Sequence, residues 1–216
     1  MTRSRLLPAE LALQHPDGRP AQLGDLTGRG LLVVQLVRYF GCLPCQDWLI
    51  ALDSAAGRLA DLGARPIAIG GSADHQARWP ASERGVTMPL LLDPDHVLRA
   101  AVGAERPLGV RLADPRGLAS YARSVAHGNR PKRITHDTVR VPGVVMIGSD
   151  LEVLWVHVGA RIGDYPPLEA VIERVRILAG RGARTLAGPD IGRGRLDRST
   201  ESRQGMGTAT TGFPAR

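Results

Sequence analysis

The chain of 216 residues is poor in cysteine and in aromatic residues, and it contains no long apolar run. With only two cysteines, it lacks the framework of structural disulfides that is typical of small extracellular proteins. No stretch reaches the roughly 18 apolar residues that a membrane-spanning helix requires. The first 14 residues also lack the apolar segment and cleavage pattern of a secretory signal. We therefore expect a cytoplasmic protein without a membrane partner.

The net charge of +7 raises the question of nucleic-acid binding, but its distribution argues against it. Seven arginines and three acidic residues lie in residues 181–216, so this segment supplies +4 of the total. The remaining +3 is spread over the rest of the chain, whose only lysine is Lys132. Nucleic-acid-binding domains usually concentrate basic residues in one stripe or patch. The sequence therefore disfavours nucleic acid as a partner.

The amount of apolar sequence predicts one globular domain followed by a tail. Hydrophobic residues make up 43% of the chain, which is enough to bury a substantial core in a domain of this size. We place the domain at residues 1–180. Residues 181–216 are rich in glycine, arginine and threonine and poor in apolar residues, and this composition predicts disorder.

Strand and helix patterns alternate through the first half of the domain. Two alternating stretches around residues 15–18, which contain proline and Asp-Gly, predict a β-hairpin. The apolar runs at 31–37, 66–69 and 88–92 predict buried strands. Between them, residues 44–62 show helical spacing and end at Gly63, and residues 72–85 are also predicted to be helical. This alternation favours a parallel core sheet with helices on its faces.

The second half of the domain is predicted to close this sheet. A short helix follows Asp93-Pro94, and residues 105–140 then lose clear periodicity, with one candidate helix at 118–126. Residues 144–147 and 151–158 predict an antiparallel hairpin because a tight Gly-Ser-Asp link joins them. The last helix is predicted to start at Pro166-Pro167. The predicted class is therefore α/β, with a central mixed sheet flanked by helices and an N-terminal hairpin extension.

Both cysteines lie in the segment R-Y-F-G-C-L-P-C-Q-D-W, at the junction between a predicted strand and a predicted helix. A cytosolic C-x-x-C pair is typical of redox or metal chemistry. A zinc site would need two further ligands, and the histidines are scattered, with His127 and His136 the only pair in one region. Two inert buried cysteines are a third interpretation, since free cysteine is often buried. No organic or metal cofactor is indicated.

The order of elements resembles the thioredoxin superfamily, and in particular its peroxiredoxin-like branch of the AhpC/TSA or redoxin type. Four stretches carry the resemblance over about residues 8–180: residues 17–40, the G-C-L-P-C motif, residues 88–101 and residues 141–159. The resemblance implies a thioredoxin-like fold and implies that Pro142 is the cis-proline opposite the active-site cysteine. It also implies a thiol-disulfide oxidoreductase with an antioxidant or redox-homeostasis function.

At the junction, the start of the helix offers unpaired N–H groups and a positive dipole end, both of which favour a thiolate. Cys42 is nearest that end and is expected to be the less buried, so we predict that Cys42 is the attacking thiol and Cys45 the resolving thiol. We predict that Arg38, Tyr39, Pro44 and Pro142 bind substrate. An arginine at a strand end is also commonly a solvated surface residue, and that alternative remains open.

The motif departs from both parent patterns of the superfamily. The proline and threonine that peroxiredoxins place seven and three residues before the peroxidatic cysteine are absent before Cys42 and before Cys45. Thioredoxin's tryptophan before its first cysteine is replaced by Gly41. The substrate is therefore left open between a peroxide and a disulfide, and the reductant between a thioredoxin-like protein and a low-molecular-weight thiol. The alternative is a noncatalytic redox-sensing or interaction module. The sequence also leaves a monomer and a homodimer open.

Overall fold

The computed structural model describes residues 5–28, 30–71, 74–109, 114–130 and 140–186, without the side chains of 74, 75 and 181–186. The strands are β1 (Arg5–Leu6), β2 (Ala12–Gln14), β3 (Pro20–Gln22), β4 (Leu31–Leu36), β5 (Ala64–Gly70), β6 (Leu90–Leu92), β7 (Gly143–Ile147) and β8 (Glu152–Val158). The helices are α1 (Leu23–Thr27), α2 (Leu43–Ser54), α3 (Ala56–Ala60), α4 (Asp74–Arg84), α5 (Val97–Ala101), α6 (Pro115–Ala126) and α7 (Leu168–Leu186). In these ranges no helix is both long and apolar enough to cross a membrane.

One eight-stranded mixed sheet organises the chain, in the order β1-β8-β7-β4-β5-β6-β2-β3. Strands β4, β5 and β6 are parallel, whereas β7 pairs antiparallel with β4 and with β8. The hairpin of β2 and β3 extends the sheet beyond β6, and β1 pairs with β8 at the opposite edge. The predicted mixed sheet and both predicted hairpins are confirmed. Strand β1 and helix α1 are short and were not predicted.

The central strand β4 is buried on both faces, as its unbroken apolar sequence predicts. Leu31, Val33 and Val37 face the layer that contains α2 and α7. Leu32, Val34 and Leu36 alternate with them and face the layer that contains α1 and α5. The apolar cores on the two faces fix β4 firmly. The residues that directly follow β4 therefore start from a rigid position.

The helix after the cysteines ends as its sequence predicts, with one interruption. It begins at Leu43, breaks at Ala55 and resumes as α3, and Gly63 then adopts a φ of +71°. The amide of Gly63 donates to the carbonyl of Ala60 at 2.9 Å, which closes the helix end. Glycine adopts this left-handed conformation without the steric cost that a Cβ atom adds.

Three expectations about the second half need correction or completion. Pro142 is not a cis-proline, because there is no cis peptide bond in the described residues. The carbonyls of Arg140, Val141 and Pro142 instead accept hydrogen bonds from Arg38, Arg99 and Gly159, and these bonds hold an extended trans segment. The last helix continues to Leu186, six residues beyond the predicted end of the domain. Residues 187–216 of the predicted tail lie outside the described residues.

A buried arginine joins the end of β4 to the segment before β7. The Arg99 side chain is 1% exposed, and its guanidinium donates to the carbonyls of Val141, at 2.9 Å, and Val37. The carboxylate of Asp93 accepts hydrogen bonds from the amides of Val97, Leu98 and Arg99, which fixes the start of α5. Arg99 therefore connects α5 to two segments that flank the cysteines.

We expect Arg99→Met to lower the free energy of unfolding by about 2–4 kcal/mol, because two buried carbonyls lose their donor. Urea denaturation followed by circular dichroism measures this as a lower midpoint. The matched control is Arg58→Met, since Arg58 forms an exposed ion pair with Glu169 and such pairs contribute little. An Arg99→Met protein as stable as the control would contradict this role.

Candidate active site

The C-x-x-C motif lies at the junction of β4 and α2, as predicted. Cys42 is the residue before the first turn of α2, and Cys45 lies inside that turn. The side-chain amide of Gln35, on β4, donates to the carbonyl of Cys45 at 3.0 Å, and that of Gln46 donates to the carbonyl of Phe40 at 2.8 Å. These two bonds hold the first turn of α2 against the strand and the loop that precede it.

Both cysteines are free thiols, and both are buried. The exposed fraction is 0% for Cys42 and 1% for Cys45, so the prediction that Cys42 is the less buried of the two is wrong. The reason is tertiary, because side chains from α6 and from the loop before α7 cover the start of α2. Burial raises the energetic cost of an unpaired thiolate, so the groups around the sulfurs decide whether one can form.

A buried guanidinium provides the positive charge beside the thiols. Arg38 follows β4 and is 2% exposed, and its Nη1 lies 3.7 Å from Cys42 Sγ. Its Nε donates to the carbonyl of Arg140 at 3.1 Å, which fixes the orientation of the planar group. The surface interpretation of Arg38 is therefore wrong. A fixed cation at this distance stabilises an anionic sulfur or an anionic oxygen that develops beside it.

Two tyrosines lie over Cys42. The hydroxyl of Tyr121, on α6, is 3.9 Å from Cys42 Sγ and 3.3 Å from the hydroxyl of Tyr39. Burial raises the pKa of Tyr121, and the charge of Cys42 acts in the same direction, so the hydroxyl remains a donor. The segment at residues 105–140 thus contributes a side chain to the site. Its candidate helix at 118–126 is confirmed, with a start at Pro115.

A third tyrosine, Tyr165, lies beside Cys45. Tyr165 lies in the loop before α7, stacks on Trp48 with ring centroids 4.9 Å apart, and donates to the carbonyl of Leu36 at 3.2 Å. When Cys45 is ionised, the same hydroxyl can donate to its sulfur instead of to Leu36, and this bond lowers the pKa of Cys45. Burial raises the pKa of Tyr165, followed by the charges of Cys45 and Cys42, so this hydroxyl also stays protonated.

The surroundings of the two thiols separate their pKa values. Burial raises the pKa of Cys42 well above its usual value, and its hydrogen bond to Cys45 and the charge of Cys45 add to this effect. Burial also raises the pKa of Cys45, but the hydrogen bond from the Cys42 thiol, the charge of Arg38 and the Tyr165 hydroxyl outweigh it. The resulting pKa of Cys45 is about 6. These directions favour a thiolate on Cys45 over one on Cys42.

The two predicted prolines occupy different surroundings. Pro44 lies in the first turn of α2 and packs near Gly163, where an added Cβ atom would lie 2.9 Å from Pro44 Cβ and 2.6 Å from Ser120 Oγ. Gly163 has a φ of +70°, so a residue without Cβ lets α6 pack beside the start of α2. Pro142 contacts Gly159, whose amide donates to its carbonyl at 2.8 Å. Substrate binding by Pro44 and Pro142 stays a prediction.

Tyr121 and Tyr165 are site residues that the sequence did not reveal. Tyr121 lies in a segment without clear periodicity, and the sequence around Tyr165 reads most simply as the start of the last helix. Both are about 80 or more residues from the cysteine they contact, and only tertiary packing brings them together. The described part of the chain contains no group of three or more His, Cys, Asp or Glu side chains that could hold a metal ion. His136 lies outside this part.

We expect Tyr165→Phe to raise the pKa of Cys45, because the thiolate loses a hydrogen-bond donor while the aromatic ring keeps its stacking on Trp48. The ultraviolet absorbance of the thiolate, measured against pH, reports the change. Tyr39→Phe is the matched control, since the contact of Tyr39 is with Tyr121. An unchanged titration in Tyr165→Phe would remove Tyr165 from the site.

A mixed sheet with a pair of free cysteines at the start of the helix that follows its central strand defines a peroxiredoxin-type, thioredoxin-like fold. Solved structures share this fold. Peroxiredoxin Q of Xanthomonas campestris has a TM-score of 0.59 at 14% identity, with 81% of this chain and 96% of that chain covered. The bacterioferritin comigratory protein of the same organism, described with its alkyl peroxide reduction activity, has a TM-score of 0.59 at 12% identity. The match covers 81% of this chain and 96% of that chain. Peroxidoxin BcpB of Mycobacterium tuberculosis has a TM-score of 0.56 at 18% identity, with 79% of this chain and 92% of that chain covered.

The chain belongs to the AhpC/TSA family, whose model matches residues 7–155. This match includes the C-x-x-C motif, α6 and β7, and it ends within β8. No curated protein matches the sequence. The family and fold predicted from the sequence are confirmed, and the identities to the solved structures are low enough that those structures establish the fold alone.

Proposed function

We propose that this protein is a thiol-disulfide oxidoreductase that reduces a peroxide, with Cys42 as the attacking thiol and Cys45 as the resolving thiol. The observation that carries the proposal is the contact between the buried Arg38 guanidinium and Cys42 Sγ at 3.7 Å, next to a second free cysteine. A fixed cation at a sulfur suits a reaction in which negative charge moves to a leaving oxygen. Membership of the AhpC/TSA family supports a peroxide as the substrate and a thiol as the reductant.

Cys45 acts first as a base and then as a nucleophile. Its thiolate takes the proton of the Cys42 thiol as Cys42 Sγ attacks one peroxide oxygen. The O–O bond breaks, Cys42 becomes a sulfenic acid, and the other oxygen leaves as an alcohol or water after it takes a proton from Cys45. The Cys45 thiolate then attacks Cys42 Sγ and forms the disulfide, and the hydroxide that leaves takes a proton from solvent and becomes water. Two thiols are oxidised and one peroxide is reduced.

The low pKa of Cys45 and the position of Cys42 suit this division of roles. A pKa of about 6 leaves Cys45 ionised at neutral pH, so it can accept a proton and can later resolve the sulfenic acid without a further base. Tyr121, above Cys42, is only partly buried, whereas Gln35 and β4 lie beneath Cys45. A substrate that displaces Tyr121 therefore meets Cys42 first. Arg38 is then next to the oxygen that leaves.

Stopped-flow oxidation of the reduced protein by hydrogen peroxide tests the proposal. Trp48 stacks on Tyr165, which contacts Cys45, so tryptophan fluorescence is expected to respond to oxidation of the pair. Alkylation of free thiols and intact mass then identify the product. A rate far above that of free cysteine thiolate, with a Cys42–Cys45 disulfide as product, supports peroxide reduction. A rate equal to that of free cysteine contradicts it.

A second candidate function is redox sensing without turnover, and the complete burial of both sulfurs favours it. In this case slow oxidation of the pair displaces Tyr121 and α6 and thereby changes the binding of a partner. Hydrogen exchange of the reduced and disulfide forms distinguishes the two functions. A sensor shows faster exchange in α6 after oxidation together with a peroxide rate like that of free cysteine. A peroxidase shows the fast rate whatever happens in α6.

A further inference from the structure

A cavity of about 230 Å³ lies beside the helix that begins at the cysteines. Residues from three segments line it: Gln46 and Leu49 of α2, Trp79, Glu83 and Arg84 of α4, and Arg130 after α6. Leu49 is four residues beyond Cys45, which is about one helical turn. Gln46 follows Cys45 directly, and its amide holds the carbonyl of Phe40 in the loop before Cys42. The cavity therefore lies along α2 within about one helical turn of Cys45.

The charges on the wall of the cavity favour an anionic group. Two guanidinium groups and one carboxylate line it. Arg84 donates to the amide oxygen of Asn129, which is neutral, so this bond leaves the charge of Arg84 uncompensated. In the part of the chain that the structure describes, neither Arg84 nor Arg130 forms an ion pair. Guanidinium groups bind carboxylates, as they bind phosphates, through paired N–H donors, so a carboxylate fits this wall.

The arrangement of Arg84 is maintained by a polar network that does not depend on a ligand. The amide of Asn129 donates to the carboxylate of Asp47 at 2.6 Å and to the hydroxyl of Ser124 at 2.9 Å. His127 Nδ1 lies 3.3 Å from the same carboxylate. This network connects α2, the C-terminal end of α6 and α4 around the cavity. A wall fixed in this way loses little conformational freedom when a ligand binds.

We propose that this cavity binds the carboxylate-bearing end of an amino-acid or short-peptide thiol, which is the reductant of the Cys42–Cys45 disulfide. Arg84 and Arg130 bind the carboxylate, and the Trp79 ring and Leu49 contact the carbon chain. The volume is below the roughly 300–1,000 Å³ of pockets that enclose a whole drug-sized ligand. It suits one end of such a thiol, with the sulfur left free to reach the disulfide.

The reaction rests on the proposed function, since it consumes the disulfide which that function produces. The thiolate of the reductant attacks one sulfur of the Cys42–Cys45 bond, which breaks and leaves a mixed disulfide and one cysteine thiolate. A second molecule of reductant attacks the reductant's sulfur in the mixed disulfide. The two reductant molecules leave as a disulfide, and the second cysteine is released as a thiolate. Two reductant thiols lose two electrons, the protein disulfide gains them, and the two cysteines recover their protons from the thiols.

The test compares two reductants that differ only in their carboxylates. Disulfide-form protein is mixed with glutathione or with glutathione diethyl ester, and the rate of reduction is followed by quenched alkylation and mass. The rate of reduction by glutathione is expected to saturate as its concentration rises. At low concentration glutathione is expected to react about tenfold faster than the ester, which corresponds to about 1.4 kcal/mol of binding free energy. Arg130→Met is expected to remove most of this advantage, whereas Arg116→Met, at the exposed opposite end of α6, leaves it unchanged. Equal rates for both thiols, linear in concentration and unaffected by Arg130→Met, overturn the proposal.

A binding measurement separates the cavity from the redox chemistry. S-methylglutathione has no thiol, so its binding to the reduced protein can be measured by calorimetry whether or not a disulfide ever forms. We expect binding to the unaltered chain and to Arg116→Met, and about tenfold weaker binding to Arg130→Met, since one charged hydrogen bond is lost. If peroxide forms no disulfide but S-methylglutathione binds in this pattern, the proposed function fails and the cavity assignment stands. Absence of binding overturns the assignment.

Discussion

Cys42→Ser is expected to abolish reduction of peroxide, with a loss of at least about a thousandfold in turnover, because a hydroxyl at this position is a far weaker nucleophile than a thiol. Cys45→Ser is expected to behave differently. It loses multiple turnover because no resolving thiol remains, and Cys42 is oxidised only once, more slowly because its base is also lost, and stops as a sulfenic acid. Steady-state assays with a regenerating thiol, together with intact mass after one equivalent of peroxide, measure both results.

The two serine variants control for each other, since each removes one buried sulfur from the same turn of α2 and adds the same hydroxyl. Their thermal unfolding is expected to be similar, so a difference in chemistry cannot come from misfolding. If Cys42→Ser forms a sulfenic acid on Cys45 while Cys45→Ser stays unoxidised, the roles are reversed and Cys45 attacks. If turnover survives in Cys42→Ser, neither assignment holds.

Arg38→Met is expected to give the second largest effect. Removing the cation disfavours the thiolate, so the lower pKa of the thiol pair rises by about one to three units. The second-order rate with peroxide near pH 7 is expected to fall by about 2–90-fold, because a smaller fraction of the protein carries the thiolate. Rates measured by stopped flow against pH, with the thiolate absorbance titrated in parallel, provide the comparison.

The sign of the pH dependence follows from the lowered pKa of Cys45, which is about 6. In the unaltered protein the thiolate is present above about pH 6 and is lost as the pH falls below it. In Arg38→Met this midpoint moves upward, so the deficit is large at pH 6–7 and shrinks at pH 9. A deficit that stays constant over this range would show that Arg38 acts on the leaving oxygen alone.

Two further variants isolate the charge from the geometry. Arg38→Lys keeps the cation but loses the planar contact with the carbonyl of Arg140, so we expect intermediate rates with a nearly unchanged pKa. Arg123→Met removes an arginine from the exposed face of α6 and is expected to match the unaltered protein. A normal rate and pKa in Arg38→Met would exclude Arg38 from the reaction.

Local sequence predicted the part of the site that is contiguous in the chain. The apolar run before Cys42 predicted β4, and the helical spacing after it predicted α2, so the dithiol could be placed at their junction. The prediction that Cys42 is the less buried thiol was wrong, because it considered only the helix end. Tyr121 covers Cys42 and its hydroxyl contacts that sulfur, whereas the hydroxyl of Tyr165 bonds to Cys45 and lowers its pKa.

The prediction of a cis peptide bond at Pro142 was wrong for a related reason. A family pattern and a proline at the right place favoured a cis bond, which costs little before proline. The carbonyls around Pro142 are instead bound by Arg38, Arg99 and Gly159, whose positions depend on α5 and on the β7–β8 hairpin. No local pattern contains these long-range hydrogen bonds.

By itself, the sequence determined the alternation of strands and helices, the family, and the position of the two cysteines, because hydrophobic periodicity and a contiguous motif are local properties. The tertiary structure alone decided what covers the two thiols and which groups shift their pKa values. It also decided whether Arg38 lies at the surface or beside Cys42, and that a cavity with two arginines lies one turn along α2. Burial and hydrogen bonds between distant segments set pKa values and form cavities.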